Sequence, residues 1–233
     1  MKRAMDVIVS LVALVICSPL LLLISLLIFL SDFHSPFYVA PRMGRSGRPF
    51  SMVKFRSMVV NADKSGVTST SATDRRITPI GHFVRRYKLD ELVQLWNVLK
   101  GDMSLVGPRP NVKSGTDVYT AFEKGLLSVR PGITDFASIV FSDEGEILRP
   151  YADADSAYDQ LIRPWKSRLG VFYIEKQSIL LDFKLIWLTL VAIVSRPAAL
   201  SLIVGLLQSY GAPLDLVRVS ARKEQLVATS PPL

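Results

Sequence analysis

The hydrophobic pattern of the chain begins with one long apolar run. No charged residue occurs between Val7 and Ser31, and about 25 residues of α-helix reach roughly 37 Å, which is enough to cross a bilayer. Lys2 and Arg3 precede the run, and a basic group that starts at Arg42 follows it. Because an excess of Lys and Arg marks the cytoplasmic side of a membrane, we expect both ends of the run on that side.

A serine–proline pair interrupts the run near its middle. Pro19 lacks the N–H that would bond the carbonyl of Val15, and its ring crowds that carbonyl, so we expect the helix to bend or break at Ser18 and Pro19. The Ser18 hydroxyl is a candidate donor to the freed carbonyl. Proline also occurs in helices that cross membranes, so a spanning helix and a re-entrant hairpin both stay open. The re-entrant helix-break-helix is the favoured interpretation.

Shorter elements follow the apolar run. Apolar and aromatic runs separated by Gly and Pro predict strands over about 35–58, and the Ser- and Thr-rich stretch 61–76 predicts an exposed, mobile loop. Thr78 followed by proline predicts a helix start, and helical spacing continues to Gly101 with a candidate break near Lys88. One face of this helix is predicted to pack in the core through Leu92, Leu95, Trp96 and Leu99.

A second apolar stretch lies near the C-terminus, where Arg196 and Pro197 divide it. The charge-free part from Leu185 to Ser195 is too short to span a bilayer, so we predict interfacial helices that lie on a membrane. A second span that starts near Pro197 is the competing interpretation. The residues from Ala221 onward are predicted to form a solvated tail.

Composition adds two constraints. Hydrophobic residues make up 49% of the 233 residues, which is high for a soluble chain, and the formal net charge is +8. The charge favours an anionic partner such as nucleic acid, anionic lipid or a phosphorylated substrate. The single cysteine, Cys17, excludes an internal disulfide.

The candidate chemistry concentrates between residues 85 and 130. Asp90 and Glu91 are adjacent, and such a pair alone is more often a helix cap than a site. Arg109 lies between two prolines that restrict its backbone, which suits bidentate binding of phosphate. Arg85 precedes the acidic pair and Arg130 opens a Pro-Gly turn. Carboxylates among constrained arginines predict a site for a polyphosphate ester with a hard divalent cation.

Four ordered blocks then carry a resemblance. They are "VKFRSM" from Val53, "LDELVQLWNVLKGDMSLVGPRP" from Leu89, "RPGIT" from Arg130 and "LLDFKL" from Leu180. Together they resemble the bacterial sugar transferases, and more narrowly the monotopic polyprenyl-phosphate phosphoglycosyl transferases. The resemblance covers nearly the whole chain, and it implies a re-entrant anchor.

The resemblance implies transfer of a sugar 1-phosphate from a UDP-sugar to undecaprenyl phosphate at the cytoplasmic face of the bacterial inner membrane. It implies that Asp90 is the nucleophile, which forms a covalent phosphosugar intermediate and releases UMP with ping-pong kinetics. Glu91 would act with it, through Mg²⁺ held by both carboxylates or as a general base. Asp182 matches the acidic residue of the "LLD" block, and its alternative is a surface ion pair with Lys184. Lys54, Arg85 and Arg109 match the family's basic active-site positions, and together with Arg130, which the Pro-Gly turn suggests, they are the predicted phosphate-binding residues.

The expected architecture is an α/β, mainly helical fold. A membrane hairpin would occupy residues 1–32, a catalytic domain on the cytoplasmic membrane surface 33–195, and a membrane-associated segment with a tail 196–233. Besides both substrates and membrane lipid, a homodimer is a candidate assembly. Nucleic acid is not expected, because the basic residues gather at Pro-Gly turns near acids and not in an aromatic-lined stripe.

Two other functions remain as alternatives from the sequence. One is a membrane-anchored, metal-dependent nucleotide-sugar hydrolase, and the other is a non-enzymatic, membrane-tethered basic binding protein. The identity of the sugar is open, since Asp135-Phe136-Ala137-Ser138 stands where many relatives of the resembled family have Gly-Trp-Ala-Gln.

Overall fold

A computed structural model describes residues 1–62 and 73–233 of the chain. The fold is mainly helical with two small sheets, as predicted. The helices of the described residues are α1 (Lys2–Asp32), α2 (Pro79–Arg86), α3 (Leu95–Lys100), α4 (Lys113–Asp117), α5 (Phe136–Val140), α6 (Glu144–Leu148), α7 (Ala154–Leu161), α8 (Arg163–Lys176), α9 (Ile179–Val194), α10 (Arg196–Ser209) and α11 (Leu214–Ser220). The strands are β1 (Phe37–Met43), β2 (Pro49–Phe55), β3 (Ser104–Val106) and β4 (Gly132–Thr134), and 3-10 turns cover Arg45–Gly47, Leu89–Gln94 and Glu123–Ser128.

Two strand pairs frame the domain. β1 and β2 form an antiparallel hairpin whose register runs from Phe37 opposite Phe55 to Met43 opposite Pro49, so the strands predicted after the apolar run are confirmed. β3 and β4 pair in parallel. A Cβ added to Gly132 would lie 2.1 Å from the backbone nitrogen of residue 107, so only glycine permits this approach.

The segment between the two sheets begins and breaks where the sequence predicts. Most of the loop predicted at 61–76 lies outside the described residues. Thr78 caps α2 by accepting a 2.9 Å hydrogen bond from the Gly81 backbone N–H. Lys88 adopts a left-handed conformation with φ of 57°, which confirms the predicted break, and Gly101 ends α3 with φ of 95°.

The predicted apolar face of this segment is wrong in one respect. Leu95 is buried, but Trp96 is 54% exposed. The turn from Leu89 to Gln94 is 3-10 rather than α-helical, which changes the angle between successive side chains. Asn97 is buried instead, because its side-chain amide bonds the backbone of β2 at Val53 and Ser51, at 2.9 and 2.7 Å.

Helix α1 is continuous through Pro19, so the predicted break of the helix is wrong. The physical reason lies in the serine before the proline. The Ser18 hydroxyl donates a 2.8 Å hydrogen bond to the Val15 carbonyl, which is the acceptor that Pro19 leaves unpaired. The helix therefore keeps its polar groups satisfied at the proline.

The start of α1 is attached to the domain by polar contacts. Lys2 Nζ lies 2.5 Å from an oxygen of Asp182, whose side chain is fully buried, and also donates to the Val106 carbonyl at 3.1 Å. The Tyr173 hydroxyl donates to Asp182 at 2.6 Å. Asp6 is buried as well, and it accepts hydrogen bonds from the side chain of Ser104 and the backbone N–H that follows it.

The end of α1 is attached to the same domain. Ile24 and Ile28 are buried against Phe55 of β2 and Val84 of α2. Beyond them, Asp32 pairs with the guanidinium of the residue that follows β2, at 2.5 and 2.7 Å. Most residues between the two attachments, from about 11 to 23, are exposed. Among the described residues, only this helix is long and apolar enough to cross a membrane.

The C-terminal segment is more integrated than the sequence predicts. α10 buries Ala199, Ile203 and Leu207 in the same core as the preceding helices. The predicted solvated tail is largely exposed, yet its backbone bonds the domain, since Thr229 donates to the Gln160 carbonyl at 3.0 Å. The division at residue 196 is therefore not a boundary of packing.

We predict that Asp182→Asn lowers the free energy of unfolding by about 3 kcal/mol, because it breaks a buried ion pair and leaves Lys2 without its counter-charge. Denaturant unfolding of the purified protein in lipid nanodiscs measures the change. Asp117→Asn removes an exposed partner of Lys113 and should cost less than about 1 kcal/mol. An equally small loss for Asp182→Asn would contradict the prediction.

Candidate active site

Three separate elements bring most of the candidate side chains together. The left-handed turn at Lys88 redirects the chain into the 3-10 turn that carries Asp90 and Glu91. Lys54 projects from β2, which packs on this turn. Arg109 follows β3, in the loop whose path is fixed by the close approach of two glycines. These four side chains therefore gather beside the 3-10 turn.

Glu91 is held by two cations. Arg109 Nη2 donates a hydrogen bond to Glu91 Oε1, and Lys54 Nζ lies 4.0 Å from the same oxygen. The Glu91 side chain is only 12% exposed. Burial alone would raise the pKa of Glu91, but Arg109, Lys88 and Lys54 together hold it well below its usual range. Glu91 is thus an ionised group that orients Arg109.

Asp90 has a different environment although it is the adjacent residue. It is buried, yet among the residues that the structure describes no donor forms a hydrogen bond with its carboxylate. Burial, and then the negative charge of Glu91, raise the pKa of Asp90 above its ordinary value of 3.8, against the opposing pull of Lys54 and Arg109. The carboxylate of Asp90 therefore accepts no hydrogen bond from the described residues, and its ionised form is only weakly stabilised.

Two of the cations show the cost of burial. Burial lowers the pKa of Lys54 to about 8, with Arg109 acting in the same direction and Glu91 opposing it, so Lys54 is still mostly protonated at neutral pH. Arg85 interacts electrostatically with Asp90. Its Nη1 is buried and has no hydrogen-bond partner among the described residues. An unpaired buried guanidinium N–H is costly, and an anionic ligand beside Asp90 would satisfy it.

Two predicted site residues lie elsewhere. Arg130 Nε donates to the Gly101 carbonyl at 2.8 Å. Within the described part of the chain, its side chain forms no hydrogen bond or ion pair with the carboxylate pair. Asp182 contacts Lys2 and Tyr173, so the geometry supports an anchoring role for it rather than one in the site. Its alternative, a surface ion pair with Lys184, is wrong because Asp182 is fully buried.

Three charged residues near the site were not identified from the sequence. Lys88 acts on Glu91 electrostatically, and Glu144 acts on Arg109 and Arg85. Lys166 donates a hydrogen bond to Glu144. The helix break at Lys88 was a usable signal. Glu144 and Lys166 lie in segments with no motif, so only their packing reveals them.

The donor set fits a magnesium ion only in part. Among residues 1–62 and 73–233, no group of three or more His, Cys, Asp or Glu side chains could hold a metal. Asp90 offers free carboxylate oxygens, and Glu91 is shared with Arg109. Mg²⁺ commonly binds one or two carboxylates, with substrate phosphates and water completing its shell. The residues therefore fit an ion that binds together with a diphosphate, rather than a permanent metal centre.

The described part of the chain has one helix long enough to cross a membrane, attached to a domain in which carboxylates lie among half-buried cations. Together these features define a membrane-associated protein with a site for anionic ligands. Comparison with known sequences gives the family. The model of the bacterial sugar transferases matches residues 1–196, and the chain belongs to that family.

Individual relatives agree with this assignment. The chain is 40% identical over 196 residues to the undecaprenyl-phosphate glucose phosphotransferase of Komagataeibacter xylinus, covering 81% of this chain and 35% of the relative. It is 35% identical over 196 residues to the UDP-glucose:undecaprenyl-phosphate glucose-1-phosphate transferase of Escherichia coli, covering 81% and 39%. It is 47% identical over 109 residues to a putative undecaprenyl-phosphate N-acetylgalactosaminyl 1-phosphate transferase of Bacillus subtilis, covering 47% and 61%. The chain thus spans about a third to three fifths of the length of these relatives.

We predict that Asp90 titrates above the usual range of an aspartate and that Glu91→Gln lowers its pKa. The substitution removes a negative neighbour and frees Arg109, and both changes favour ionised Asp90. Carboxyl ¹³C NMR of Asp-labelled protein, with Asp90→Asn to assign the signal, measures the pKa. Glu146→Gln, at an exposed ion pair, is the control and should leave it unchanged. A pKa that rises in Glu91→Gln would contradict the expectation.

Proposed function

We propose that the protein transfers a sugar 1-phosphate from a UDP-sugar to undecaprenyl phosphate, giving undecaprenyl-diphospho-sugar and UMP. The observation that carries the proposal is the contrast between two adjacent carboxylates, one bound by Arg109 and one buried without a hydrogen-bond partner in the described chain. A nucleophile must be free to approach phosphorus, and the free carboxylate is Asp90. The names of the relatives supply the substrate classes.

The reaction proceeds in two displacements at one phosphorus. A carboxylate oxygen of Asp90 attacks the β-phosphorus of the UDP-sugar, the bond to the bridging oxygen breaks, and UMP leaves with the electron pair. The phosphate oxygen of the lipid then attacks the acyl phosphate, which restores Asp90 and forms the diphosphate. Because anions repel, Arg109, Lys54 and Arg85 neutralise the phosphoryl oxygens at each step.

Mg²⁺ belongs to the proposal as a partner of the diphosphate. Asp90 and Glu91 would hold it, and it would supply further neutralisation of the phosphate oxygens. Glu91 is ionised and hydrogen-bonded to Arg109, so its main contribution is to keep that guanidinium oriented. A general-base role for Glu91 is less suited to a carboxylate whose pKa is held well below its usual range.

The re-entrant arrangement of α1 is also part of the proposal, together with a location at the cytoplasmic face of the bacterial inner membrane. Both ends of the helix contact one domain, through Lys2 at the start and Asp32 at the end. A straight span would carry one end to the opposite face of the bilayer. The exposed middle, which includes Pro19, is the part available to enter the lipid.

A second apolar surface supports attachment to the membrane. Helix α9 exposes large apolar side chains at alternating spacings of three and four residues, so they share one helix face. They are Leu180, Phe183, Trp187, Leu190 and Val194. An unpaired apolar face of this kind suits a helix that lies at a lipid interface. The surface would hold the site at the height of a lipid headgroup.

We predict a covalent phosphosugar adduct on Asp90. Purified protein is incubated with Mg²⁺ and a panel of UDP-sugars without lipid acceptor, and intact mass is measured. The mass should increase by one phosphosugar, Asp90→Asn should show no increase, and its turnover should fall by at least about a thousandfold. Asp117→Asn, at an exposed ion pair, should form the adduct normally. Steady release of UMP without acceptor would instead indicate the nucleotide-sugar hydrolase.

We predict that both flanks of the apolar run face the cytoplasm, near Lys2 and before Arg42. Single cysteines at the exposed positions Ala4 and Ser35, in a Cys17→Ala background, are treated with a membrane-impermeant thiol reagent. Neither should react in right-side-out vesicles, and both should react in inverted vesicles. Labelling of the two cysteines from opposite faces would show a spanning helix and remove the re-entrant part of the proposal.

A further inference from the structure

Glu144 and Lys166 form an ion pair for which the proposed displacements provide no role. Lys166 Nζ donates to Glu144 Oε2, and the side chains are 31% and 19% exposed for Glu144 and Lys166 respectively, so solvent and ligands can reach both. Lys166 Nζ also lies 5.2 Å from the centre of the Tyr158 ring. The three residues come from α6, α8 and α7. A carboxylate, a cation and an aromatic ring thus meet at one accessible place.

This place borders the candidate active site. Glu144 interacts electrostatically with Arg109 and Arg85, and both arginines also interact with Asp90. Lys166 interacts with Arg109 as well. The ion pair and Asp90 are therefore neighbours of the same basic residues. A sugar nucleotide whose phosphates bind Arg109 and Arg85 would bring its sugar or its ribose near Glu144 and Lys166.

The backbone that presents Glu144 is held by two arginines from the C-terminal part of the chain, one at the last residue that the family model matches and one beyond it. Arg196 Nη2 lies 2.8 Å from Asp143 Oδ1, and Arg222 Nη2 lies 3.3 Å from Oδ2 of the same carboxylate. Arg196 also donates to the Ser142 hydroxyl at 3.2 Å. Two arginines thus fix the residues directly before α6. A fixed carboxylate loses little conformational freedom when a ligand binds to it.

The chemistry of this place suits a polyol. An ionised carboxylate has about four lone-pair sites on its two oxygens, so Glu144 can accept hydroxyl donors besides Lys166, and such bonds are stronger than those between neutral groups. We propose that Glu144, oriented by Lys166, binds hydroxyl groups of the sugar nucleotide donor and thereby contributes to its affinity and selection. Lys166 keeps the carboxylate ionised, and Tyr158 offers an apolar face beside it. The inference rests on the proposed function, because it concerns the same donor.

Two parts of a UDP-sugar carry adjacent hydroxyl groups, the ribose and the transferred sugar. Both present the same hydrogen-bond donors to Glu144, and UMP contains only the ribose. Comparing the affinity for UMP with that for a complete UDP-sugar therefore separates the two sources.

The test measures equilibrium binding to the full-length protein in lipid nanodiscs by calorimetry. An Asp90→Asn background prevents turnover, and the probes are UDP-glucose, UDP-N-acetylgalactosamine and UMP. Glu144→Gln should weaken binding of at least one UDP-sugar about tenfold. Unchanged UMP affinity would place the contact on the transferred sugar, and an equal loss for UMP would place it on the ribose. Glu146→Gln lies on the same helix and should change each affinity by less than about twofold.

A second variant excludes a purely structural role. Glu144→Asp keeps the charge but withdraws the carboxylate by one methylene, so it should also lose affinity while the thermal unfolding midpoint stays close to that of the parent. If Glu144→Gln and Glu144→Asp bind every probe as the parent does, the inference is overturned and the proposed function stands. If neither the Asp90→Asn protein nor the unsubstituted protein binds any of the three probes, the proposed function is overturned and the inference with it.

Discussion

The ion pair between Lys2 and the buried carboxylate of Asp182 is the interaction on which much of the structure depends. Burying Asp182 without its partners would leave an uncompensated charge, so Lys2 and the Tyr173 hydroxyl must be in place together. Lys2 also donates to the carbonyl of Val106, three residues before Arg109, and the Tyr173 hydroxyl lies 3.2 Å from the same carbonyl oxygen. One polar cluster thus fixes the start of the apolar helix and the strand that leads into the site. Membrane attachment and site geometry are built as one unit.

A second constraint is the difference between two adjacent carboxylates. Glu91 forms ion pairs with Arg109 and Lys54. Asp90 is buried beside the same cations but accepts no hydrogen bond from the described chain. The cations only partly oppose the rise in the pKa of Asp90 that burial and Glu91 cause, and the hydrogen bond of Arg109 goes to Glu91 rather than to Asp90. This division of roles follows from the 3-10 turn, which points neighbouring side chains in different directions.

The C-terminal part of the chain extends this organisation beyond the region that the family model matches. Helix α10 packs into the main core, and the pairing of Arg196 and Arg222 with Asp143 fixes the segment that leads into α6. Glu144 follows directly and lies beside the basic residues of the site. The C-terminal part of the chain begins directly after α9, whose exposed apolar face suits a lipid interface. A short stretch of chain therefore connects the exposed apolar face of α9 to the residues beside the site.

The sequence alone determined the features that depend on local chemistry. The apolar helix, the hairpin, the cap at Thr78 and the breaks at Lys88 and Gly101 follow from residue periodicity, proline and glycine, and the grouping of Asp90 with Arg109 follows from a contiguous motif. Only the tertiary structure decided which charges meet across the fold. It places Arg130 and Asp182 away from the carboxylate pair, exposes Trp96, and brings Glu144 to Lys166. The reason is physical: burial and pairing of charge depend on distances between segments far apart in the chain, which no local pattern contains.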